Sequence, residues 1–123
     1  MIQFGHVNLR VRDLEASIHF YEEQLNLYFM QRVGDGDGPM AWLGDGISDD
    51  FFLELTQAQV GCGKGHIAFV TDERAKYYPR HKGAGIVDYE IPALGIYFIH
   101  DPDGNSIEIM PKESLEALGG KKG

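Results

Sequence analysis

The chain has 123 residues, of which 43% are hydrophobic and 24% are charged, a balance typical of one globular domain with a real core. Its formal net charge of −8 argues against a nucleic-acid partner, because phosphates require a basic surface. The sequence has no apolar run long enough to span a membrane and no leader-like start, and the single Cys62 cannot form an internal disulfide, so we expect a cytoplasmic protein.

The first half of the chain predicts a strand, a helix and three further strands. Residues 3–11 alternate between apolar and polar side chains, which indicates a strand. Asp13 is a suitable N-cap for a helix over about 14–25. The apolar stripe that this helix should bury consists of Leu14, Ile18, Tyr21 and Leu25. Strands are predicted at 27–33, 40–43 and 51–57, with a Gly- and Asp-rich loop at 34–39 between the first two.

The second half repeats this order with shorter segments. A strand is predicted at 65–71, a helix at about 73–81, strands at 85–91, 95–100 and 105–110, and a last short helix at 112–118. The Asp-Pro-Asp-Gly sequence at 101–104 predicts a tight turn before the last strand. We therefore predict one α+β domain of two tandem βαβββ modules, about 1–58 and 62–111, with a C-terminal tail over 112–123.

A histidine and a glutamate recur in both halves. His6 and His66 each follow a glycine at the start of a predicted strand, and Glu54 and Glu108 each lie between aliphatic residues in the last strand of their half. Because side chains alternate along a strand, each of these residues faces away from an aliphatic row, as the lining of a cavity between curved sheets requires. Two imidazoles and two carboxylates suit one divalent ion such as Ni²⁺, Co²⁺, Zn²⁺, Mn²⁺ or Fe²⁺.

The remaining reactive side chains give weaker signals. His19, His81 and His100 have no recurring partner, and we expect them at the surface or in turns. Cys62 has no acid–base partner nearby in the sequence, which argues against a nucleophilic role. The repeated His/Glu pair is therefore the feature on which a functional prediction depends.

Four blocks of the chain resemble a known family. Residues 6–21 resemble the opening of glyoxalase I, and 47–57 end in a similar Glu-Leu-Thr. The Gly-His-Ile-Ala sequence at 65–68 and the turn and strand at 101–108 resemble its remaining blocks. The chain is identified as a member of the vicinal oxygen chelate superfamily, whose members are built from paired βαβββ modules, and the resemblance covers residues 4 to about 111.

Within this superfamily the first-half glutamate discriminates between activities. Extradiol dioxygenases and fosfomycin-modifying transferases have no ligand at the position of Glu54, methylmalonyl-CoA epimerases have Gln there, and bleomycin-binding relatives lack the ligands altogether. The set of His6, Glu54, His66 and Glu108 is most similar to that of glyoxalase I. The resemblance thus implies one divalent ion per site, Ni²⁺, Co²⁺ or Zn²⁺.

The resemblance further implies a lyase that detoxifies methylglyoxal. The substrate would be the hemithioacetal of methylglyoxal and a thiol, usually glutathione, and the product S-lactoylglutathione. Glu108 would be the base that moves a proton between the two carbons, with Glu54 as its symmetric counterpart, and symmetry leaves the choice between them open. Arg10 matches a carboxylate-binding arginine of the family. Similar members form homodimers with metal sites completed across the interface, so we predict a homodimer.

Two departures concern the thiol. Glyoxalase I usually has Asn shortly after Glu-Leu-Thr, where this chain has Gln57-Ala58-Gln59, and a cation before the last hairpin, where this chain has Glu90-Ile91-Pro92. Both positions help to hold glutathione in the family. The alternatives are therefore another metalloenzyme on this scaffold (an epimerase, an extradiol dioxygenase or a thiol transferase) and a non-catalytic small-molecule binding protein.

Overall fold

The computed structural model describes residues 1–34, 38–48 and 51–117. In chain order its elements are β1 (His6–Val11), α1 (Leu14–Leu25), β2 (Tyr28–Val33), β3 (Met40–Gly44), β4 (Phe52–Gln57), β5 (His66–Thr71), α2 (Arg74–Gly83), β6 (Val87–Ile91), β7 (Ile96–His100), β8 (Ser106–Pro111) and α3 (Lys112–Ala117). The predicted α+β class and the repeated βαβββ order are confirmed. Parts of the predicted loop at 34–39 and of the C-terminal tail lie outside the described residues.

The two halves build sheets of the same topology. Each sheet has four strands, in the order β1-β4-β3-β2 and β5-β8-β7-β6. In each sheet the first and last strands of the module pair in parallel, and the other neighbours are antiparallel. A residue at the start of a module therefore lies beside the strand that ends it, although the two are far apart in the sequence.

The chain divides into two compact units. One comprises Met1–Gly65 with Asp101–Asn105, and the other comprises His66–His100 with Ser106–Gly123. Alternation of side chains along the strands determines the core of the first unit. In β1, Leu9 and Val11 are buried whereas Asn8 and Arg10 are exposed, and in β4 the buried aliphatic residues are Leu53 and Leu55. The same rule buries Ile107 and Ile109 of β8 in the second unit. Each sheet thus has an apolar face and a face free to carry polar groups.

Helix α1 packs on the apolar face of the first sheet. Its N-cap is Asp13, as predicted, whose side chain accepts a hydrogen bond from the Ala16 N–H at 3.1 Å. Its C-cap is Asn26, in the left-handed conformation with φ 56°. Leu14, Ile18 and Tyr21 of the predicted stripe are buried; Leu25 is only half-buried, and Ser17 takes a buried position instead.

A buried carboxylate organises the predicted turn before β8. Asp101 is 1% exposed and accepts hydrogen bonds from the Tyr21 hydroxyl, the backbone N–H groups of Asp103 and Asn105, and the Asn105 side chain, at 2.8–3.0 Å. Four donors compensate the cost of removing the charge from water. Burial, and then the neighbouring Asp101 charge, raise the pKa of Tyr21 well above its ordinary value.

In the second unit, His81 differs from expectation. It is fully buried in α2, and its Nδ1 lies 2.9 Å from the hydroxyl oxygen of Tyr97, which is also fully buried. The prediction of a surface position was wrong because α2 turns this residue towards β7, which sequence spacing does not reveal. His19 is exposed, and His100 is half-buried beside Asp88, with a separation of 2.9 Å. No helix among the described residues is long and apolar enough to cross a membrane.

Candidate metal centre

The first unit brings His6 and Glu54 together. His6 begins β1 and Glu54 lies in the middle of β4, two residues beyond the Phe52 position that is paired with His6. The His6 Nε2 and Glu54 Oε1 atoms are 3.5 Å apart. The imidazole is 45% exposed, whereas the carboxylate is only 14% exposed. The pair therefore presents one nitrogen and one recessed carboxylate on the polar face of the sheet.

Two neighbouring side chains hold the Glu54 carboxylate. Asn8 Nδ2 donates to Glu54 Oε1 at 3.0 Å and to Thr56 Oγ1 at 2.7 Å, and Trp42 Nε1 donates to Glu54 Oε2 at 2.9 Å. The Phe52 ring stacks on His6 at a centroid distance of 5.0 Å and contacts the Trp42 ring at 4.3 Å. Both carboxylate oxygens are thus oriented by donors before any ligand arrives.

The second unit brings His66 and Glu108 together in the same way. His66 begins β5, Glu108 lies in β8, and the Nε2 and Oε1 atoms are 3.4 Å apart. The side chains are 57% and 19% exposed, respectively. The strand neighbours of Glu108 are Ala68 and Phe98, and the Phe98 ring lies edge-on to His66 at a centroid distance of 6.2 Å.

The donor set of each pair fits a divalent ion. Separations of 3.4–3.5 Å are longer than an N–H···O hydrogen bond. They match two ligands of one ion, since nitrogen and oxygen atoms at about 2.1 Å from zinc with a near-tetrahedral angle are about 3.2–3.5 Å apart. Nitrogen and carboxylate oxygen are also the ligands that zinc and its first-row neighbours accept.

Each pair by itself supplies fewer ligands than a catalytic metal site needs. Catalytic zinc has three protein ligands and one open position. In the described ranges, no third His, Cys, Asp or Glu joins either pair to form a metal-binding group. That His6, Glu54, His66 and Glu108 share one ion therefore stays a prediction.

Arg10 lies two residues after Asn8 in β1, on the exposed face that carries His6. Its side chain passes close to Gly61, where an added Cβ would stand 3.0 Å from Arg10 Cδ. Its guanidinium has no carboxylate partner within the part of the chain that the structure describes. An unpaired guanidinium on the face of the His/Glu pair can receive an anionic group of a ligand.

The two positions that differ from glyoxalase I are occupied by other contacts. Gln57 Oε1 accepts from the backbone N–H of Leu14, so this side chain supports the start of α1. Glu90 accepts from the Tyr78 hydroxyl at 2.9 Å and pairs with Lys82 at 3.5 Å. Both side chains therefore make contacts within the chain itself.

Sequence reasoning missed Asn8 and Trp42. Alternation alone places Asn8 on the His6 face, and this signal was available. Trp42 could not be found in this way, because its position opposite Glu54 depends on the pairing of β3 with β4. The equivalent positions in the second unit are occupied by Ala68 and Phe98, which are not polar. The repeat between the two halves therefore does not point to Asn8 or Trp42.

Comparisons with known proteins agree on the fold and on the family. Residues 3–109 match the model of the Glyoxalase/Bleomycin resistance protein/Dioxygenase superfamily. A lactoylglutathione lyase of Neisseria meningitidis is 33% identical over 124 residues, which cover 89% of this chain and 90% of that protein.

Two solved structures with similar folds belong to proteins that are described with different functions. The trypanothione-dependent glyoxalase I of Leishmania major superposes with a TM-score of 0.79 at 26% identity, covering 97% of this chain and 93% of that one. TnmS3, an antibiotic-binding protein of Streptomyces sp. CB03234, superposes with a TM-score of 0.75 at 20% identity, covering 90% and 96%. The latter shows a shared fold alone, so the chemistry of the site must decide between activities.

Proposed function

The chain belongs to the Glyoxalase/Bleomycin resistance protein/Dioxygenase superfamily, and within it we propose a metal-dependent lyase of the glyoxalase I type. Its substrate would be the hemithioacetal of methylglyoxal and a small thiol. The observation that supports this proposal is the duplicated His/Glu pair, at 3.5 Å in one unit and 3.4 Å in the other. Two such pairs match the four-ligand set expected for glyoxalase I.

The four side chains have defined tasks in this proposal. His6, Glu54, His66 and Glu108 would hold the ion, with both imidazoles neutral so that a nitrogen lone pair is available. A bound divalent ion would supply Lewis-acid stabilisation of the negative charge that develops on the two adjacent substrate oxygens. The two carboxylates are only 14% and 19% exposed, which supports a site in which few water molecules reach the metal ligands.

Glu108 is the proposed base. It takes the proton from the carbon that carries sulfur and returns it to the neighbouring carbon, where the carbonyl was. The hydroxyl proton of the first carbon moves to the oxygen of the second, so the product is a 2-hydroxy thioester isomeric with the substrate. No atom or electron is gained or lost, and no redox partner is required.

Arg10 is proposed to bind a carboxylate of the thiol. It lies on the His6 face of β1, and its guanidinium has no carboxylate partner among the described residues. A guanidinium offers several N–H donors in the planar arrangement that a carboxylate accepts. Because the chain's net charge of −8 repels an anionic substrate, a cation without a carboxylate partner is needed to attract one to the site.

The contacts of Gln57 and Glu90 bear on which thiol the substrate contains. Gln57 accepts from the Leu14 N–H at the start of α1 and Glu90 pairs with Lys82, so neither side chain replaces the glutathione contact expected at its position. A thiol other than glutathione is therefore a second candidate for the same isomerisation. The Leishmania major relative, which is described as trypanothione-dependent, illustrates that a family member can use a different thiol.

We also propose a homodimer. Two ligands in each unit are too few for a catalytic ion. The first unit exposes large apolar side chains that a subunit interface would cover, namely Ile2, Phe4, Tyr28, Phe29 and Met30. In the dimer, the His/Glu pairs of the two copies would complete each other's sites.

An activity assay tests the proposal. The metal-free chain is loaded in parallel with Ni²⁺, Co²⁺ or Zn²⁺ and mixed with methylglyoxal and one of glutathione, trypanothione, coenzyme A or cysteine. We expect thioester absorbance to appear with at least one combination and to be lost in His66→Ala. Absence of thioester with every metal and every thiol would contradict the proposed function.

A further inference from the structure

The two carboxylates occupy equivalent positions with different neighbours. In the first sheet Glu54 is paired with Asn8 on one side and with Trp42 on the other. In the second sheet Glu108 is paired with Ala68 on one side and with Phe98 on the other. The registers are the same, so the contrast results from side-chain identity and not from strand geometry.

The neighbours of Glu54 are hydrogen-bond donors. Trp42 Nε1 reaches Oε2 at 2.9 Å, and Asn8 Nδ2 reaches Oε1 at 3.0 Å. Asn8 is itself oriented by the Thr56 hydroxyl at 2.7 Å, and the Trp42 ring packs on Phe52 at 4.3 Å. Donors to both oxygens restrict the carboxylate to one orientation.

The neighbours of Glu108 donate nothing. Alanine and phenylalanine side chains have no N–H or O–H group. The equivalents of Phe52 and Thr56 are Ser106 and Met110, and neither holds the Glu108 carboxylate in the part of the chain that the structure describes. The only polar contact found for Glu108 within those ranges is His66 Nε2, at 3.4 Å. No hydrogen-bond donor therefore fixes the orientation of this carboxylate within the described ranges.

We propose that Asn8 and Trp42 are positioning residues that hold the Glu54 carboxylate in the orientation in which it binds the metal, a support that Glu108 lacks among the described residues. The inference rests on the proposed metal site but not on the identity of the thiol or on glyoxalase activity. It removes the symmetry between the two glutamates: one half of the duplicated scaffold has donors for a fixed ligand, and the other half does not.

The variants that test this inference are taken from the chain itself. Asn8→Ala and Trp42→Phe install the residues that occupy the equivalent positions in the second unit, so both side chains are compatible with this strand geometry. The matched control is Arg32→Ala, because Arg32 is an exposed residue of the same sheet that pairs with Glu15 and makes no contact with Glu54 among the described residues. Isothermal titration of the metal-free protein with Zn²⁺ measures affinity, and thermal unfolding of the metal-free protein reports on folding.

We expect each single variant to weaken Zn²⁺ binding about 10- to 100-fold, the range typical of lost outer-shell partners, and the double variant to be the weakest. Arg32→Ala should stay within about threefold of the unaltered chain, because it leaves both donors to Glu54 in place. A merely structural role would instead lower the unfolding temperature of the metal-free protein and leave Zn²⁺ affinity unchanged. That result, or unchanged affinity in the double variant, overturns the inference.

The test separates this inference from the proposed function. If the unaltered chain binds Zn²⁺ and the variants bind it more weakly, the positioning role stands even when no thiol yields a thioester. If the variants bind Zn²⁺ as tightly as the unaltered chain and the assay gives thioester, the positioning role fails and the lyase survives. If the unaltered chain takes up neither Zn²⁺, Ni²⁺ nor Co²⁺, both proposals fail.

Discussion

At the scale of single residues, the proposed isomerisation depends on which carboxylate moves a proton. Glu54 is held by Asn8 and Trp42, whereas Glu108 has only its imidazole partner within the described part of the chain. A base must change its protonation state and its contacts during each turnover. The less constrained carboxylate is the one suited to that task.

Replacing Glu108 by glutamine keeps the proposed oxygen ligand but removes the proposed base. We expect Glu108→Gln to lower kcat by about 100- to 10,000-fold, the usual contribution of general base catalysis. Steady-state kinetics with the metal and thiol found in the assay measures the change. Glu113→Gln, an exposed carboxylate in α3, is the control and should retain full activity. A Glu108→Gln protein with undiminished kcat would assign the base elsewhere.

Replacing Arg10 tests the anion-binding role. A charge-assisted hydrogen bond contributes about 1.5–3 kcal/mol, so Arg10→Ala should lower kcat/KM by about 10- to 150-fold, mainly through a higher KM. Arg32→Ala is the matched control, because Arg32 is an exposed arginine that pairs with Glu15 on the surface. Equal KM values for Arg10→Ala and the unaltered chain would exclude a substrate contact.

The predictability of the site also differs from residue to residue. His6, Glu54, His66 and Glu108 were singled out because they recur, and the structure places each histidine within 3.5 Å of the glutamate of its half. Their role as ligands of one ion stays a prediction. Trp42 was not found, because its contact with Glu54 depends on the register between β3 and β4. Register depends on turn geometry and packing across the sheet, which a single sequence does not encode in a readable form.

At the scale of elements, the strand and helix types were predictable and their ends were less so. The Asp13 cap set the start of α1 correctly, because a side-chain acceptor at this position has a local signature. The predicted first strand began at residue 3, whereas β1 begins at His6, where pairing with β4 begins. The last strand was predicted to end at residue 110, whereas β8 continues to Pro111, which is still paired with Thr71. Pairing partners, not local propensity, decide such ends.

A buried hydrogen bond links α1 to the turn at 101–105. Tyr21→Phe removes the donor at 2.8 Å from the buried Asp101 carboxylate while the ring stays in place. We expect a loss of about 1.5–3 kcal/mol in the free energy of unfolding, the range for hydrogen bonds to charged groups. Urea unfolding measures it, with Tyr89→Phe as the control, because Tyr89 is 62% exposed. A loss no larger than that of the control would show that the contact contributes little.

At the scale of the whole molecule, buried tyrosines determine how stability responds to alkali. Burial raises the pKa of Tyr97 from 10.0 to about 12. Between these two values the unfolded chain releases this proton and the folded chain keeps it, so the unfolded state binds fewer protons and stability falls as pH rises. The raised pKa of Tyr21 acts in the same direction.

We therefore expect the free energy of unfolding to decrease as pH rises above about 10, and to decrease less steeply in Tyr97→Phe. Urea unfolding at a series of alkaline pH values measures both slopes. The variant loses the hydroxyl that contacts His81 and can be less stable at neutral pH, but only the slope tests the linkage. Identical slopes in the two proteins would contradict the expected contribution of Tyr97.

We propose that one divalent ion is held by two His/Glu pairs, one from each unit, in a homodimer. Native mass spectrometry of the Zn²⁺-loaded chain measures both properties at once. We predict a dimer that carries two ions, and loss of the ions in His6→Ala and in His66→Ala alike, since each site needs both imidazoles. A chain that carries no stoichiometric ion, or a His6→Ala variant that keeps its full complement of ions, would contradict the account.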